Sequence, residues 1–312
     1  MTALTVAICT RNRARLLERT LASLAELDVP RDVEYRLIVV DNGSTDDTPR
    51  RCEQFADRLP LRHLVEDAPG LSHARNRALR VATGEYLVFT DDDVTVDPDW
   101  LASFVATARR WPEAAAFGGP IEPDFPFRPN ADLMAAFPAL ATGFCGLDHR
   151  QAEGPLTLEQ PIWGANMAYT RRLIDGLWFD PALGRSPTSQ RGGEEEAFVR
   201  QIRSRGGSVV WCPQMRLRHY VDPSRMTLDY LRTFYVGQGE ELVRVKGVPS
   251  PVAPVLFGAP RWFVRRTIET YLRYLDARLR SSRVEALKKL RIYCEHRGML
   301  RACREISRGA HA

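Results

Sequence analysis

The chain contains the stretch Glu85-Tyr86-Leu87-Val88-Phe89-Thr90-Asp91-Asp92-Asp93-Val94, in which a short apolar run ends in three carboxylates. The apolar run predicts a buried β-strand, and Pro98 and Trp100 open a helical pattern beyond it. Adjacent aspartates repel one another, so they cost free energy unless a cation or hydrogen-bond donors compensate them. Oxygen ligands suit Mg²⁺ or Mn²⁺. The alternative is a solvated acidic turn in which Asp91 or Asp93 caps the next helix.

Apolar, β-branched runs alternate with helical patterns through the N-terminal part of the chain. The predicted strands are Thr5–Thr10, Tyr35–Val40, Leu61–Glu66 and Tyr86–Phe89. The helical patterns follow Asn12, follow the turn Asp41–Asp46, and run from Leu71 to Ala82 with Ser72 as the expected N-cap. Strands this apolar do not face water, so the alternation predicts an α/β fold with a mostly parallel sheet and helices on both faces.

Polar segments follow three of the predicted strands directly. They are Thr10-Arg11-Asn12, Asp41-Asn42-Gly43-Ser44 and Asp91-Asp92-Asp93. Open parallel sheets bind ligands outside the carboxyl ends of their strands. We therefore expect the three segments to line one crevice.

Glycine-rich phosphate loops are missing from this sequence. No G-x-G-x-x-G follows the first strand, and no G-x-x-x-x-G-K-[ST] occurs anywhere. If the crevice binds phosphates, a divalent cation on the aspartates is the expected substitute, because it neutralises a diphosphate directly.

The basic residues are concentrated at the C-terminal end. The formal net charge is +5, whereas residues 259–312 hold 14 Lys/Arg against 5 Asp/Glu, which leaves residues 1–258 at −4. Such a tail suits anionic lipid or nucleic acid, although a solvated helix face is the commoner reason for basic residues. Its aromatic residues recur at helical spacing rather than as a stacking platform, so we expect no nucleic-acid binding.

Length and composition indicate a globular protein with one large domain and an appended segment, since 312 residues with 44% hydrophobic content bury a sizeable core. No run approaches the ~18 apolar residues of a membrane span, and the N-terminus lacks a signal-peptide pattern. We expect a cytoplasmic protein. The six cysteines show no Cys-x-x-Cys pair, so they are expected to be reduced thiols rather than zinc ligands or disulfides.

Six segments together resemble the inverting glycosyltransferases of family 2, which have the nucleotide-sugar-binding GT-A fold. In order along the chain they are VAICTRNR (6–13), VVDNGSTDDT (39–48), GLSHARNRAL (70–79), YLVFTDDDV (86–94), GANMAYTRR (164–172) and GGEEEAFVRQIRSRG (192–206). The resemblance implies a Rossmann-like GT-A domain over residues 1–225. Its nucleotide-sugar half would reach about residue 112, and its acceptor half would cover residues 113–225.

The resemblance implies the donor-binding residues position by position. Those near the base and ribose are Thr10, Arg11, Asn12 and Asp41, and those near the ribose, diphosphate and sugar are Arg75, Asn76, Asp91 and the acidic middle residue Asp92. From the residues alone, Arg75 is a solvated helix residue.

The resemblance also implies a metal site for Mg²⁺ or Mn²⁺. Asp93 would coordinate the cation as the last carboxylate of the family's D-x-D motif. His219 would approach the metal or the diphosphate, and Arg225 would approach phosphate. A satisfied structural histidine is the alternative for His219.

The glutamate triplet at residues 194–196 corresponds to the family's Glu-Asp pair. The second carboxylate there is the general base, so the resemblance assigns this role to Glu195, one methylene longer than aspartate, and makes Glu194 a neighbouring acceptor-binding carboxylate. The alternative is helix-dipole complementation at a helix start. Trp163 and Asn166 would contact the acceptor or the donor sugar, with core packing as the alternative for Trp163.

The function implied is a glycosyltransferase of the EC 2.4 type. It would move a sugar from a nucleotide-diphosphate sugar, UDP foremost, to a hydroxyl acceptor such as a sugar, a lipid-linked glycan or a small molecule, with inversion. The alternatives are a sugar-phosphate nucleotidyltransferase, disfavoured because TRNRAR lacks glycine, and an inactive nucleotide-sugar-binding scaffold, which the exchange of aspartate for Glu195 keeps open.

Two further regions are interpreted from composition. The Pro/Phe-rich passage within residues 113–160 is a loop or lid whose Phe125, Phe127 and Phe137 contact apolar substrate. Residues 226–312 form a helical, basic, amphipathic segment after a linker with Pro249, Pro251 and Pro254. Its helix within residues 261–291 would lie on the inner, anionic membrane face, pack on the core, or form a homodimer.

Overall fold

The computed structural model describes residues 1–185, 192–248, 255–256 and 258–309. The chain divides into two compact units, one of Met1–Asp124 with Gly146–Tyr220 and one of Phe125–Cys145 with Val221–Ala312. The predicted domain boundary after residue 225 stays a prediction. The three linker prolines lie outside the described residues.

The described strands and helices alternate along the first unit and give way to helices at the C-terminal end. The strands are β1 Thr2–Thr10, β2 Val33–Asp41, β3 Leu61–Val65, β4 Tyr86–Thr90, β5 Val94–Val96, β6 Ala114–Gly118, β7 Ile121–Asp124, β8 Gly154–Pro155, β9 Asn166–Thr170, β10 Ser208–Trp211, β11 Leu217–Tyr220, β12 Val255–Leu256 and β13 Ala259–Pro260. The helices are α1 Ala14–Leu24, α2 Thr48–Gln54, α3 Leu71–Val81, α4 Trp100–Arg110, α5 Ala131–Leu140, α6 Glu194–Ser204, α7 Leu228–Lys246, α8 Arg261–Arg280 and α9 Arg283–Gly309.

The large sheet of the first unit has the strand order β3-β2-β1-β4-β9-β6-β10-β8. Strands β3, β2, β1 and β4 are parallel, whereas β9 runs antiparallel between β4 and β6. The predicted α/β fold with a mostly parallel sheet is therefore confirmed. All five residues of β4 are buried, as expected for a strand covered on both faces.

The sheet register brings the ends of the first strands to one edge. Thr10 of β1 is the partner of Asp41 in β2, and Ile8 of β1 is the partner of Thr90 in β4. The polar segments after these strands therefore start side by side. The order β2-β1-β4 also puts the reversal of strand order at β1, where open α/β sheets form their ligand crevice.

Packing of the helices on this sheet is dominated by large buried side chains. Leu17 and Leu21 of α1 are fully buried, and burying a leucine stabilises a fold by roughly 1.5–3 kcal/mol. Phe104 of α4 packs edge to face on Tyr86, with ring centroids 5.3 Å apart. These contacts hold the strand that leads to the three aspartates.

A small sheet has the order β5-β11-β7, and its strand β5 follows the aspartates directly in the chain. Strand β11 pairs antiparallel with β5, and His219 is the partner of Val94. The backbone N–H of Tyr220 also donates to the carbonyl oxygen of Asp93, at 2.8 Å. This pairing carries His219 to the aspartates across more than a hundred residues of sequence.

The second unit is helical and includes the Pro/Phe-rich passage. Phe125 and Phe137 pack with Phe144 inside this unit, while Phe127 is exposed. Helices α7 and α9 cross where a Cβ at Gly239 or Gly298 would overlap the opposite backbone, so only glycine permits this approach. Among the described helices, none combines the length and apolar character needed to cross a bilayer.

One local expectation is wrong. Helix α3 begins at Leu71 after Gly70, whose φ of 134° suits glycine, so Ser72 already lies within the helix and is not its N-cap. The Ser72 hydroxyl instead donates to the carbonyl oxygen of Leu183, at 2.8 Å. All six cysteines are free thiols, as predicted.

Candidate active site

The acidic loop after β4 is folded inward. Asp92 and Asp93 are each 3% exposed, and the Thr10 hydroxyl donates to Asp92 Oδ2 at 2.7 Å. The Arg13 guanidinium lies 2.9 Å from Asp92 Oδ1 and also donates to Asp93 Oδ2. Helix α4 begins later, after Asp99, so the interpretation as a solvated capping turn is wrong.

Asp91, Asp93 and His219 form a three-ligand cluster. One ligand atom from each lies within 4.8 Å of the others. His219 Nε2 is 3.1 Å from Asp93 Oδ1 and 3.6 Å from Asp91 Oδ2. His219 Nδ1 lies 2.9 Å from the carbonyl oxygen of Tyr220, and a proton on Nδ1 donated to that oxygen leaves Nε2 as a ligand.

The donor set fits a divalent cation. Asp93 Oδ1 is buried and accepts no hydrogen bond of good geometry within the part of the chain that the structure describes. A buried carboxylate oxygen of this kind is costly unless a ligand compensates it. Two carboxylates and an imidazole converging on one point supply that position for a metal ion.

The two neighbouring carboxyls Asp91 and Asp92 differ in pKa. Burial raises the pKa of Asp92 to about 7, with the negative charge of Asp93 adding to the rise and Arg13 opposing it. Burial also acts to raise the pKa of Asp91, but His219 in its protonated form, together with Arg75 and Arg13, lowers it to about 2. Asp91 is therefore ionised at neutral pH.

Arg75 neutralises a second acidic group within the same unit. It lies in α3, is 2% exposed, and donates from Nη1 to Glu194 Oε1 at 2.7 Å and from Nη2 to Glu195 Oε1 at 2.6 Å. Its guanidinium also stacks 5.4 Å from the ring centroid of Phe179. The interpretation of Arg75 as a solvated helix residue is wrong, because a buried guanidinium requires paired carboxylates.

Glu195 carries a carboxylate with raised basicity. Burial raises its pKa, Arg75 lowers it, and the negative charges of Glu194 and Asp91 raise it further. The influence of Asp91 links the glutamates to the acidic loop, so both groups belong to one electrostatic environment. A carboxylate with this raised pKa is a stronger proton acceptor than an exposed glutamate.

Gly164 closes the space beside the glutamates. A Cβ built at Gly164 would overlap Arg75 Nη2 and Glu195 Oε1. Its backbone also forms a hydrogen bond that lowers the pKa of Glu195 in opposition to burial. The backbone here approaches the ion pair more closely than any side-chain-bearing residue permits.

The segments after β1 and β2 are tied together. Asn12, with a φ of 53°, donates its N–H to Ser44 Oγ at 2.9 Å and accepts from the Thr45 N–H at 2.7 Å. Asp41 is buried and accepts from the Ser44 N–H at 2.7 Å, while Arg11 is exposed. The roles of Thr10, Arg11, Asn12 and Asp41 at a nucleotide base stay predictions.

Two asparagines of the predicted site form hydrogen bonds to backbone groups. Asn76 donates to the Phe179 carbonyl oxygen at 2.8 Å and accepts from the Phe179 N–H at 2.9 Å. Asn166 is fully buried and donates to the carbonyl oxygens of Pro120 and Met215, while Trp100 Nε1 donates to it. These bonds give both amides a structural role, and the predicted contacts of Asn76 with the donor and of Asn166 with the acceptor stay predictions.

Trp163 packs half-buried against the core, and its acceptor contact stays a prediction. Arg225 belongs to the second unit, where its guanidinium lies 2.7 Å from Cys145 Sγ. Its approach to phosphate is likewise untested.

Two residues of the site were missed by sequence reasoning. Arg13 has no assigned role in the sequence analysis, although three adjacent aspartates with no nearby Lys or Arg in their own segment call for a cation from elsewhere in the chain. Gly164 precedes Asn166 in the GAN segment, and only its contact with Arg75 and Glu195 reveals its part.

Comparisons with known proteins identify the family. The model of glycosyl transferase family 2 matches residues 5–153. The succinoglycan biosynthesis protein ExoM of Rhizobium meliloti is 30% identical over 243 residues, which are 75% of this chain and 72% of that protein. A glucosyl-dolichyl phosphate glucuronosyltransferase of Haloferax volcanii is 25% identical over 212 residues, which are 66% of each chain.

Solved structures share the fold. A mannosyltransferase from Pyrobaculum calidifontis, solved with GDP-Man and Mn²⁺, superposes with a TM-score of 0.58 at 23% identity, over 100% of this chain and 88% of that one. S. aureus TarS residues 1–349 superpose with a TM-score of 0.55 at 17% identity, over 99% of this chain and 92% of that one. The predicted GT-A fold is confirmed. The chain belongs to glycosyl transferase family 2 and is a glycosyltransferase.

Proposed function

We propose that this enzyme transfers a sugar, with inversion and with a divalent cation, from a nucleoside diphosphate sugar to a hydroxyl acceptor during glycoconjugate synthesis. The observation that carries the proposal is the convergence, within one unit, of the Asp91–Asp93–His219 cluster and the Arg75–Glu195 pair. Asp91 lies near enough to raise the pKa of Glu195. UDP is the donor nucleotide that we test first.

Asp91, Asp93 and His219 would hold the cation. Two carboxylate ligands suit Mg²⁺ or Mn²⁺, and the imidazole nitrogen favours Mn²⁺ because nitrogen ligands suit transition metals. When bound, the cation supplies Lewis-acid stabilisation of the departing diphosphate. The side chains of this chain bring the ligand atoms to one point before any donor arrives.

Glu195 would act as the general base. The pKa of an acceptor hydroxyl lies far above neutral, so a carboxylate within ~2.6–3.2 Å must take its proton as the bond to the anomeric carbon forms. Arg75 orients Glu195 through Oε1 and is itself held by Glu194. In this proposal the other oxygen of Glu195, Oε2, would accept the proton. A single displacement of this kind inverts the anomeric carbon.

Matched variants test the two halves of the mechanism. Glu195→Gln is expected to reduce transfer by about 10²–10⁴-fold, the usual contribution of general-base catalysis, with Mn²⁺-dependent thermal stabilisation by UDP retained. Asp93→Ala is expected to lose both. If wild type and both variants were equally inert yet still bound nucleotide, a scaffold function would replace the proposal. A panel of UDP, GDP and dTDP sugars with and without Mn²⁺ identifies the base.

The acceptor class is proposed from the second unit and the relatives. Helix α8 exposes Ile268, Tyr271, Leu272 and Leu279, with Arg265 and Arg278 on either side of this apolar stripe. This combination suits the headgroup region of an anionic membrane. One relative is named for a dolichyl phosphate substrate, which supports a lipid-linked acceptor reached at the inner membrane face.

Vesicle sedimentation tests the membrane contact with the full chain. The protein is expected to sediment with vesicles rich in phosphatidylglycerol and to be released by salt. The variant Leu272→Asp is expected not to sediment with them. Leu158→Asp is the control, because Leu158 is 72% exposed in the first unit. Equal sedimentation of both variants would refute the membrane contact. If the wild type had the mass of a dimer in solution and Leu272→Asp that of a monomer, the apolar face of α8 would instead be a homodimer interface.

A further inference from the structure

Arg13 connects the two carboxyls that follow Asp91. Its Nη1 lies 2.9 Å from Asp92 Oδ1, and its Nη2 donates to Asp93 Oδ2. The second oxygen of Asp92 accepts from the Thr10 hydroxyl at 2.7 Å. Three of the four carboxylate oxygens of this pair therefore have defined partners.

The fourth oxygen, Asp93 Oδ1, is directed differently. It accepts no hydrogen bond among residues 1–185, 192–248, 255–256 and 258–309, and it is the oxygen that lies 3.1 Å from His219 Nε2. Arg13 thus binds Asp93 Oδ2 and leaves Asp93 Oδ1 for the metal cluster. The guanidinium lies beside the cation position without filling it.

We infer that Arg13 is a positioning residue for the metal ligand Asp93 and that Asp92 is the second anchor of this arginine rather than a donor-binding residue. The inference rests on the proposed cation site. Asp92 has both oxygens engaged within the protein, which explains an acidic residue at the middle of the triplet. The charge of Arg13 offsets two neighbouring carboxylates, and its fork fixes the rotamer of each.

The chemistry of arginine suits this role. A planar guanidinium presents donors in a rigid fork, so one side chain bridges two carboxylates with fixed geometry, whereas the ammonium of lysine is a point charge on a flexible stem. Groups that orient metal ligands in this way typically change metal affinity by about 10–100-fold when they are removed. The cost appears in binding of the cation itself, without any donor.

Mn²⁺ binding to the full chain, measured by titration with electron paramagnetic resonance of the free ion, tests the inference. Arg13→Gln is expected to weaken Mn²⁺ affinity by about 10–100-fold. Asp92→Asn is also expected to weaken Mn²⁺ affinity. The double variant is expected to bind Mn²⁺ no more weakly than Arg13→Gln alone, because both changes disrupt the same Arg13–Asp92 ion pair. Arg13→Lys is expected to restore only part of the affinity. Arg15→Gln, an exposed neighbour with the same loss of charge, is the control.

Each other result overturns the inference. Tighter Mn²⁺ binding by Arg13→Gln would make Arg13 a competitor of the cation, and unchanged affinity with a lower melting temperature would make it purely structural. Additive losses for Arg13→Gln and Asp92→Asn would make Asp92 a direct ligand. Failure of the wild type to bind Mn²⁺ would refute the proposed cation site as well, whereas wild-type binding lost only in Asp93→Ala would refute the role of Arg13 alone.

Discussion

The acidic loop after β4 and the glutamates at the start of α6 both gather carboxylates in one unit, but they are compensated differently. The side chain of Arg13 on the acidic loop is 36% exposed, whereas that of Arg75 beside the glutamates is 2% exposed. Among the described residues, the loop retains a buried oxygen that accepts no hydrogen bond, Asp93 Oδ1, which lies 3.1 Å from His219 Nε2. Glu194 and Glu195 share one buried counter-charge, the guanidinium of Arg75.

The difference separates a group of carboxylates that a cation would complete under the proposed function from one whose carboxylates share a buried arginine. Three adjacent aspartates exceed the charge of one arginine, so under that proposal a metal ion would complete the compensation. Arg75 instead donates to both Glu194 and Glu195 from within the same unit.

Removal of Arg75 gives the largest expected effect. Arg75→Leu leaves Glu194 and Glu195 near each other without a counter-charge, and breaking a buried ion pair in this way costs about 3–5 kcal/mol of unfolding free energy. Denaturant unfolding measures the loss. Arg80→Leu is the control on the same helix, since Arg80 is half-exposed and its ion pair with Glu66 at 3.8 Å contributes about 0–1 kcal/mol. Equal losses for the two variants would show that the buried pair does not stabilise the base side.

The sheet and the edge that carries the site could be predicted from the sequence. The apolar runs at β1, β2 and β4 are long and β-branched, and the strand-end rule then places Thr10, Asp41 and Asp91 at one edge. Local periodicity carries this information because a buried strand must be apolar along its whole length. No such local signal indicates that β9 runs antiparallel to its neighbours β4 and β6.

The partners of the buried charges could not be predicted in the same way. Arg13 and Asp92 are 79 positions apart, and Arg75 and Glu195 are 120 apart, so their pairing depends on how the elements pack. An asparagine such as Asn166 looks like a recognition residue in sequence, although here the packing of Trp100, Pro120 and Met215 uses its amide. The apolar residues of Phe125–Cys145 likewise do not indicate which of two cores they join.

An added methyl group beside Glu195 should act on the base side alone. Gly164→Ala forces Arg75 or Glu195 to shift, and a displacement of about 1 Å at a reacting group can cost about 10²-fold in rate. The turnover number is expected to fall by that order, while Mn²⁺ affinity stays at the wild-type value. Gly237→Ala is the control, because a Cβ there meets nothing within 4 Å. A parallel loss of Mn²⁺ affinity would show that the two clusters respond as one.

The pH profile of turnover should report the charge that Glu194 places beside the base. Glu195 must be unprotonated to accept a proton, and burial with the charges of Glu194 and Asp91 raises its pKa above the ordinary 4.5, so turnover should fall on the acid side at a pH above that value. Glu194→Gln removes one of the charges that raise this pKa, and the acid limb should therefore move to lower pH. Glu196→Gln lies in the same helical turn and is the control. An acid limb that stays fixed in Glu194→Gln but moves in Glu196→Gln would place the titrating base elsewhere than at Glu195. A shift confined to Glu194→Gln would instead locate proton acceptance at Glu195, beside the buried Glu194.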